Sequence, residues 1–174
     1  RSGTESLTAI AALGAAAVEA DKSLSLRAER TKWRDAMEAR MKAAVPGIKV
    51  FGVESARLPQ TSYIGLPGTL AETQVIALDL AGFAVSAGSA CSSGKVHQSH
   101  VLTAMGMSEA EARCAIRVSF GWGTQEADLK RFTDTWATQL NRSLMLRRAQ
   151  HEGNEKNESL ILSLSKDERD GARM

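Results

Sequence analysis

Apolar side chains recur along this chain with two periods, and the places where one gives way to the other outline the fold. Residues 9–20 are rich in Ala and predict a closely packable helix, with Thr4 or Ser6 where an N-cap belongs. Residues 23–45 predict a second, longer helix. Leu26, Trp33, Met37 and Met41 share one of its faces, and Arg27, Arg30, Arg34, Asp35 and Glu38 lie elsewhere. Pro46-Gly47 closes it. Ile48, Val50 and Val53 then predict a strand, and residues 61–66 another. Pro67-Gly68 turns the chain into a helix over residues 71–80. Residues 83–85 predict a short strand that leads into a Gly/Ser-rich loop. Ser99 caps a short helix at 101–105 that ends at Gly106, and Ser108 with Glu111 forms a capping box.

Residues 114–120 alternate. Cys114, Ile116, Val118 and Phe120 fall on one side of a strand, and Ala115, Arg117 and Ser119 on the other. Thr124 is positioned to cap the last core helix, where Leu129, Phe132, Trp136 and Leu140 stand at helical spacing and face the sheet. From Ser143 the pattern fades. Residues 143–174 hold six basic and six acidic side chains around a small apolar island at 160–164, so a solvated tail with little fixed structure is expected. The layout is a two-layer α/β domain, with a mostly antiparallel sheet packed by helices, preceded by a long helical segment. The expected division is a helical segment at 1–46, a small α/β domain at 47–142 and a polar tail at 143–174.

Length and charge narrow the function. The 174 residues suffice for one domain with a real core, and the formal charge of +2 builds no basic surface for nucleic acid or membrane. No apolar run approaches a bilayer span, and no stretch reads as a signal peptide. Cys91 and Cys114 form neither a CxxC pair nor a disulfide framework, which suits a reducing, cytoplasmic setting. His97, His100 and His151 do not fall with the cysteines into zinc-ligand spacing. The chain opens at Arg1, without Met, straight into a Gly-Thr turn, and reads as the C-terminal part of a longer polypeptide.

Chemistry concentrates at two positions. Cys91 stands in Ser86-Ala87-Gly88-Ser89-Ala90-Cys91-Ser92-Ser93-Gly94-Lys95, a segment too small and polar to pack a core. A thiol presented there either reacts or is an ordinary buried Cys at a helix start. Lys95, His97 and His100 either lower its pKa or are solvated loop residues. Arg117 lies within a strand pattern. A buried guanidinium there needs an anion, either a ligand carboxylate matched by its planar fork or an Asp or Glu of the same chain. Arg1-Ser2-Gly3-Thr4 is either an anion cradle before a helix or simply a cap. Cys114, among apolar neighbours, is expected to be an inert core thiol.

The run from Val85 to Gly94, then Ser99-His100-Val101-Leu102, Ala104-Met105-Gly106 and Ile116-Arg117-Val118-Ser119-Phe120-Gly121, closely resembles the cysteine desulfurases. These are pyridoxal-phosphate enzymes of the class V aminotransferase group. The Ser-Gly-Ser-Ala-Cys type of loop resembles the branch serving nitrogen fixation and general iron–sulfur assembly. Arg1-Ser2-Gly3-Thr4-Glu5 and Arg57-Leu58-Pro59 resemble two further family segments, so the likeness spans residues 1 to about 140. It implies the small domain of a pyridoxal-phosphate-dependent transferase and a homodimer. It also implies a reaction. A thiolate attacks the sulfur of L-cysteine held on the cofactor, the C–S bond breaks, alanine leaves, and the enzyme keeps a persulfide.

By the same resemblance, Cys91 is the nucleophile and Arg117 binds the substrate α-carboxylate. Thr4 reaches the cofactor phosphate of the neighbouring subunit. The acceptor is an iron–sulfur scaffold protein, with Cys91 a transient ligand of a shared iron–sulfur cluster. Three departures stand beside this. No lysine here has the family's Ser-His-Lys context, so the cofactor anchor lies outside the chain, and the chain alone is expected to be inactive. The pyridine-stacking His and the pyridinium-pairing Asp are expected upstream as well. Gln60 and Ser6 occupy positions where the family usually has Asn. The alternatives are a non-catalytic partner or binding module, and a selenocysteine lyase or other class V aminotransferase.

Overall fold

The computed structural model describes residues 3–87 and 99–171, without the side chains of His100, residues 147–148 and residues 151–171. Two helices come first, α1 (Leu7–Ser23) and α2 (Arg27–Ala44), joined by a 3-10 turn at Leu24–Leu26. Strand β1 (Lys49–Val50) follows, then β2 (Thr61–Gly65), α3 (Ala71–Leu80), β3 (Ser86–Ala87), α4 (His100–Ala104), α5 (Glu109–Ala112), β4 (Ala115–Ser119) and α6 (Glu126–Gly171). The strands form one sheet in the order β1-β2-β4-β3, with every pairing antiparallel. This is the α/β arrangement that the hydrophobic pattern predicts.

The strand period of two sorts the sheet's residues onto two faces. Ser62 and Ile64 of β2 pair with Val118 and Ile116 of β4, and all four turn toward the helix layer. There they meet Met37, Met41 and Val45 from α2 and its C-cap, Leu78 of α3, and Leu129, Phe132, Trp136 and Leu140 of α6. Each such side chain contributes about 1.5–3 kcal/mol on burial, so this one cluster holds the layers together. A smaller cluster of Phe51, Leu102, Ala112 and Ala115 lies at one end of the opposite face, under α4 and α5. Gly65 admits Phe51 there, since a Cβ at that position would come within 2.9 Å of the Phe51 ring.

Several boundaries differ from the pattern. Ser6, not Thr4, caps α1, accepting from the Ala9 amide at 3.3 Å. Leu26 falls in the 3-10 turn and is exposed rather than lining the α2 face. The strand expected over Ile48, Val50 and Val53 shrinks to two residues, because a run of turns begins at Phe51. The strand expected at 83–85 forms instead at Ser86–Ala87, where the neighbouring β4 supplies its partners. Thr124 does not cap α6. Its hydroxyl accepts from the Gly121 amide at 3.1 Å, while the Asp128 carboxylate takes the Gln125 amide at 3.0 Å. Beyond Ser143, where little fixed structure is expected, the backbone continues as helix to Gly171. No proline interrupts it, and Leu, Arg, Glu and Lys favour that state.

The largest departure concerns α2. Its charged positions lie off the apolar face in the sequence pattern, yet Arg34 and Glu38 are buried. Glu38 Oε1 accepts from Arg57 Nη1 at 2.7 Å and from Ser62 Oγ at 2.6 Å, and its Oε2 from Arg57 Nη2 at 3.1 Å. The hydrogen-bonded Glu38 carboxylate holds the Arg57 guanidinium above its ordinary pKa, against the opposing effect of burial. Arg34 Nη1 donates to the Leu58 carbonyl at 3.0 Å, and its Nε and Nη2 donate to Asp35 Oδ1. The Arg57-Leu58-Pro59 segment and the start of β2 are thereby fastened to α2.

Removing one member of such a buried group leaves the others uncompensated. Glu38→Ala is expected to lower the unfolding free energy by about 3–5 kcal/mol in urea titrations, whereas exposed Glu54→Ala changes it by less than about 0.5 kcal/mol. A second expectation concerns acid. The Ser108–Glu111 capping box forms as predicted, and Lys49 Nζ donates to Glu111 Oε1. Lys49 foremost, then Ser108, lower the Glu111 pKa to about 2. A carboxylate depressed on folding stabilises above its unfolded pKa, ordinarily about 4.3, and that contribution is lost as pH falls toward about 2. The stability of Glu111→Gln should therefore vary less across that window, and the difference should shrink in high salt because the pair lies at the surface.

Candidate functional site

Arg117 is the central residue of β4, between Ile116 and Val118. Because both neighbours enter the core, alternation turns Arg117 to the other face of the sheet. The buried guanidinium considered from the sequence is therefore exposed, and no same-chain ion pair holds it among the described residues. Its one polar contact among the described residues is a long hydrogen bond from Nη2 to Ser86 Oγ at 3.4 Å. Register sets its surroundings: Tyr63 of β2 lies opposite on one side, and Ser86 of β3 on the other.

Tyr63 is the residue that sequence reasoning missed. Its strand was legible, but its position beside Arg117 depends on the β2–β4 register, which no local pattern reports. Its ring meets Phe51 edge-to-face at 6.2 Å, and its hydroxyl donates to Ser99 Oγ at 3.5 Å. Ser99 is buried and caps α4, accepting from the Leu102 amide at 3.4 Å. The described residues on either side of the Gly/Ser-rich segment thus lie near this site, Ala87 next to the Ser86–Arg117 contact and Ser99 next to Tyr63.

Cys91, Lys95 and His97 lie outside the described residues, as does the side chain of His100, whose backbone opens α4. Thr4 precedes α1, is exposed, and makes no hydrogen bond within the described chain. Helix α1 buries none of its residues, and Leu7, Ile10 and Leu13 are exposed. Cys114 is buried in the core, as its alternating surroundings predict. Arg57 is engaged by Glu38 and is not open to a ligand. Among the described residues no group of three or more His, Cys, Asp or Glu side chains is placed to hold a metal ion. No described helix is long and apolar enough to cross a membrane.

These features match known proteins. The family model of class-V aminotransferases matches residues 1–132. A cysteine desulfurase of Trichormus azollae is 36% identical over 132 residues, covering 75% of this chain and 33% of that protein. One of Enterobacter agglomerans is 32% identical over 130 residues, covering 75% of this chain and 32% of that protein. A NifS-like protein from Rickettsia africae superposes with a TM-score of 0.67 at 33% identity, covering 78% of this chain and 35% of that one. This chain belongs to the class-V aminotransferase family. It spans about a third of the length of the curated relatives it matches, which are named cysteine desulfurases.

An exposed, unpaired strand arginine contributes little to folding. Arg117→Gln is expected to change unfolding free energy by less than about 0.5 kcal/mol. A loss as large as that from Glu38→Ala would show that the guanidinium serves the fold and not a ligand.

Proposed function

We propose that this chain is the C-terminal part of a cysteine desulfurase, in which Arg117 binds the α-carboxylate of L-cysteine and Cys91 takes the sulfur as a persulfide. The observation that carries this reading is the exposed guanidinium of Arg117, which has no ion-pair partner among the described residues. A free carboxylate supplies the two parallel acceptors its planar fork lacks, and a strand held on both sides fixes its position. The covalent chain supports the partnership with Cys91. Cys91 lies four positions beyond Ala87, and a chain spans at most about 3.6 Å per residue, so the Cys91 backbone is tethered within about 14 Å of a strand that pairs with β4.

Pyridoxal phosphate, when bound, supplies the electron sink for C–S cleavage. The described residues fit only one edge of that cofactor. Thr4, exposed and unengaged ahead of α1, is suited to one hydrogen bond with the phosphate of a neighbouring subunit in a homodimer. Lys22, Lys49 and Lys130 are each ion-paired with a glutamate, and no lysine of the sequence follows a Ser-His pair. The anchoring lysine therefore belongs to a preceding large domain, and the apolar side of α1 packs against that domain or the second subunit. In the transfer itself, Cys91 as thiolate forms an S–S bond to the substrate sulfur as the C–S bond breaks. The released electron pair returns to carbon, which takes up a proton to become alanine. The persulfide sulfur then passes to an acceptor, proposed to be an iron–sulfur scaffold protein.

Sulfide release from L-cysteine by a full-length chain containing this segment tests the assignment. Cys91→Ser should lose at least about 100-fold in rate while still binding cofactor, as removal of a nucleophile does. Arg117→Gln should raise KM for cysteine by about 10–100-fold, the equivalent of a charged hydrogen-bond pair. A Cys91→Ser enzyme working at the parental rate refutes the role of Cys91. An unchanged KM in Arg117→Gln refutes that of Arg117. The 174-residue chain alone should release no sulfide.

A further inference from the structure

Two residues stand directly opposite Arg117 across the sheet, Tyr63 of β2 and Ser86 of β3. Both carry hydroxyls, and none of the four strands carries Asp or Glu. No acid within the sheet therefore draws the guanidinium aside. The Tyr63 hydroxyl is directed to Ser99 Oγ at 3.5 Å, and its ring rests against Phe51. Ser86 Oγ is left to meet Arg117, accepting from Nη2 at 3.4 Å, and Ser86 makes no other side-chain hydrogen bond among the described residues. Pairing of β3 with β4 fixes the backbone from which that hydroxyl projects.

A guanidinium offers a carboxylate two edges that include Nη2, one shared with Nε and one with Nη1. Nη2 carries a hydrogen for each edge. Ser86 takes one of them, so a single two-donor edge that includes Nη2 remains. The bond is longer than the usual spacing of about 2.9–3.0 Å. It guides a flexible side chain without competing strongly against a charged ligand.

We propose that Ser86 is a positioning residue for Arg117. Its hydroxyl holds Nη2 and so presents one edge of the guanidinium, in one orientation, to the substrate carboxylate. This role rests on the reading of Arg117 as the carboxylate ligand. An arginine loses rotamer freedom when it binds, and a side chain already held near its bound position loses less. The carboxylate is held alike before and during C–S cleavage, so the effect falls on substrate binding and not on the bond-breaking step.

Sulfide release by a full-length chain containing this segment tests the role. Ser86→Ala should raise KM for L-cysteine by about 3–10-fold and leave kcat within about twofold. Ser86→Thr keeps the hydroxyl on a side chain suited to a strand, and its KM should stay within about twofold of the parent. With Arg117→Gln already in place, Ser86→Ala should add no further rise, since Ser86 acts only through that guanidinium. An unchanged KM in Ser86→Ala, or an equal rise in both backgrounds, overturns the role of Ser86. The KM of Arg117→Gln alone tests the carboxylate assignment separately. A crystal structure of the full-length chain with L-alanine, which carries the same α-carboxylate, gives a readout independent of turnover. A carboxylate on one edge, with Ser86 still accepting from Nη2, supports the role. A carboxylate in the place of Ser86 on Nη2, with the hydroxyl turned away, overturns it.

Discussion

The two-residue period of β4 is the constraint on which the rest depends. Ile116 and Val118 must enter the core against α2, α3 and α6, and this obliges Arg117 to face the opposite way. A slip of one residue would bury the guanidinium and expose both apolar neighbours, so the register is strongly specified. The strand is also flanked on both sides, by β2 and β3. The same packing that stabilises the domain thereby holds a charged group at a fixed point on an open surface. Fold and candidate chemistry share one strand.

The buried ionic group around Glu38 serves the other side of that strand. It binds α2 to the Arg57-Leu58-Pro59 segment and to Ser62, from which β2 continues to Tyr63 and the pairing with Arg117. Buried ion pairs are poor sources of net stability, because desolvation offsets much of their attraction. Their value here is positional. They specify one arrangement of helix, turn and strand, and loss of any member leaves a charge without its counterpart.

The family assignment and the uncovered surfaces agree. The chain spans about a third of its relatives' length, and α1 carries apolar side chains that nothing in the described chain covers. Helix α6 runs well past residue 132, where the family match ends. The chain is thus best understood as a folded core with two extensions, one of them within the family match and one mostly beyond it.

Local patterns determined a good deal on their own. The helix at 71–80, the capping box at Ser108, the alternation around Arg117 and the apolar face of α6 all rest on interactions within a few residues, and each was legible from the chain. The motif around Cys91 and Arg117 pointed to the family for the same reason, since a motif is a local property. The burial of Arg34 and Glu38 and the place of Tyr63 beside Arg117 were decided only by tertiary structure. Each depends on partners 24 to 54 positions away, as Glu38 is from Ser62 and Tyr63 from Arg117. No period of two or 3.6 residues carries information over that distance; packing of the folded chain does.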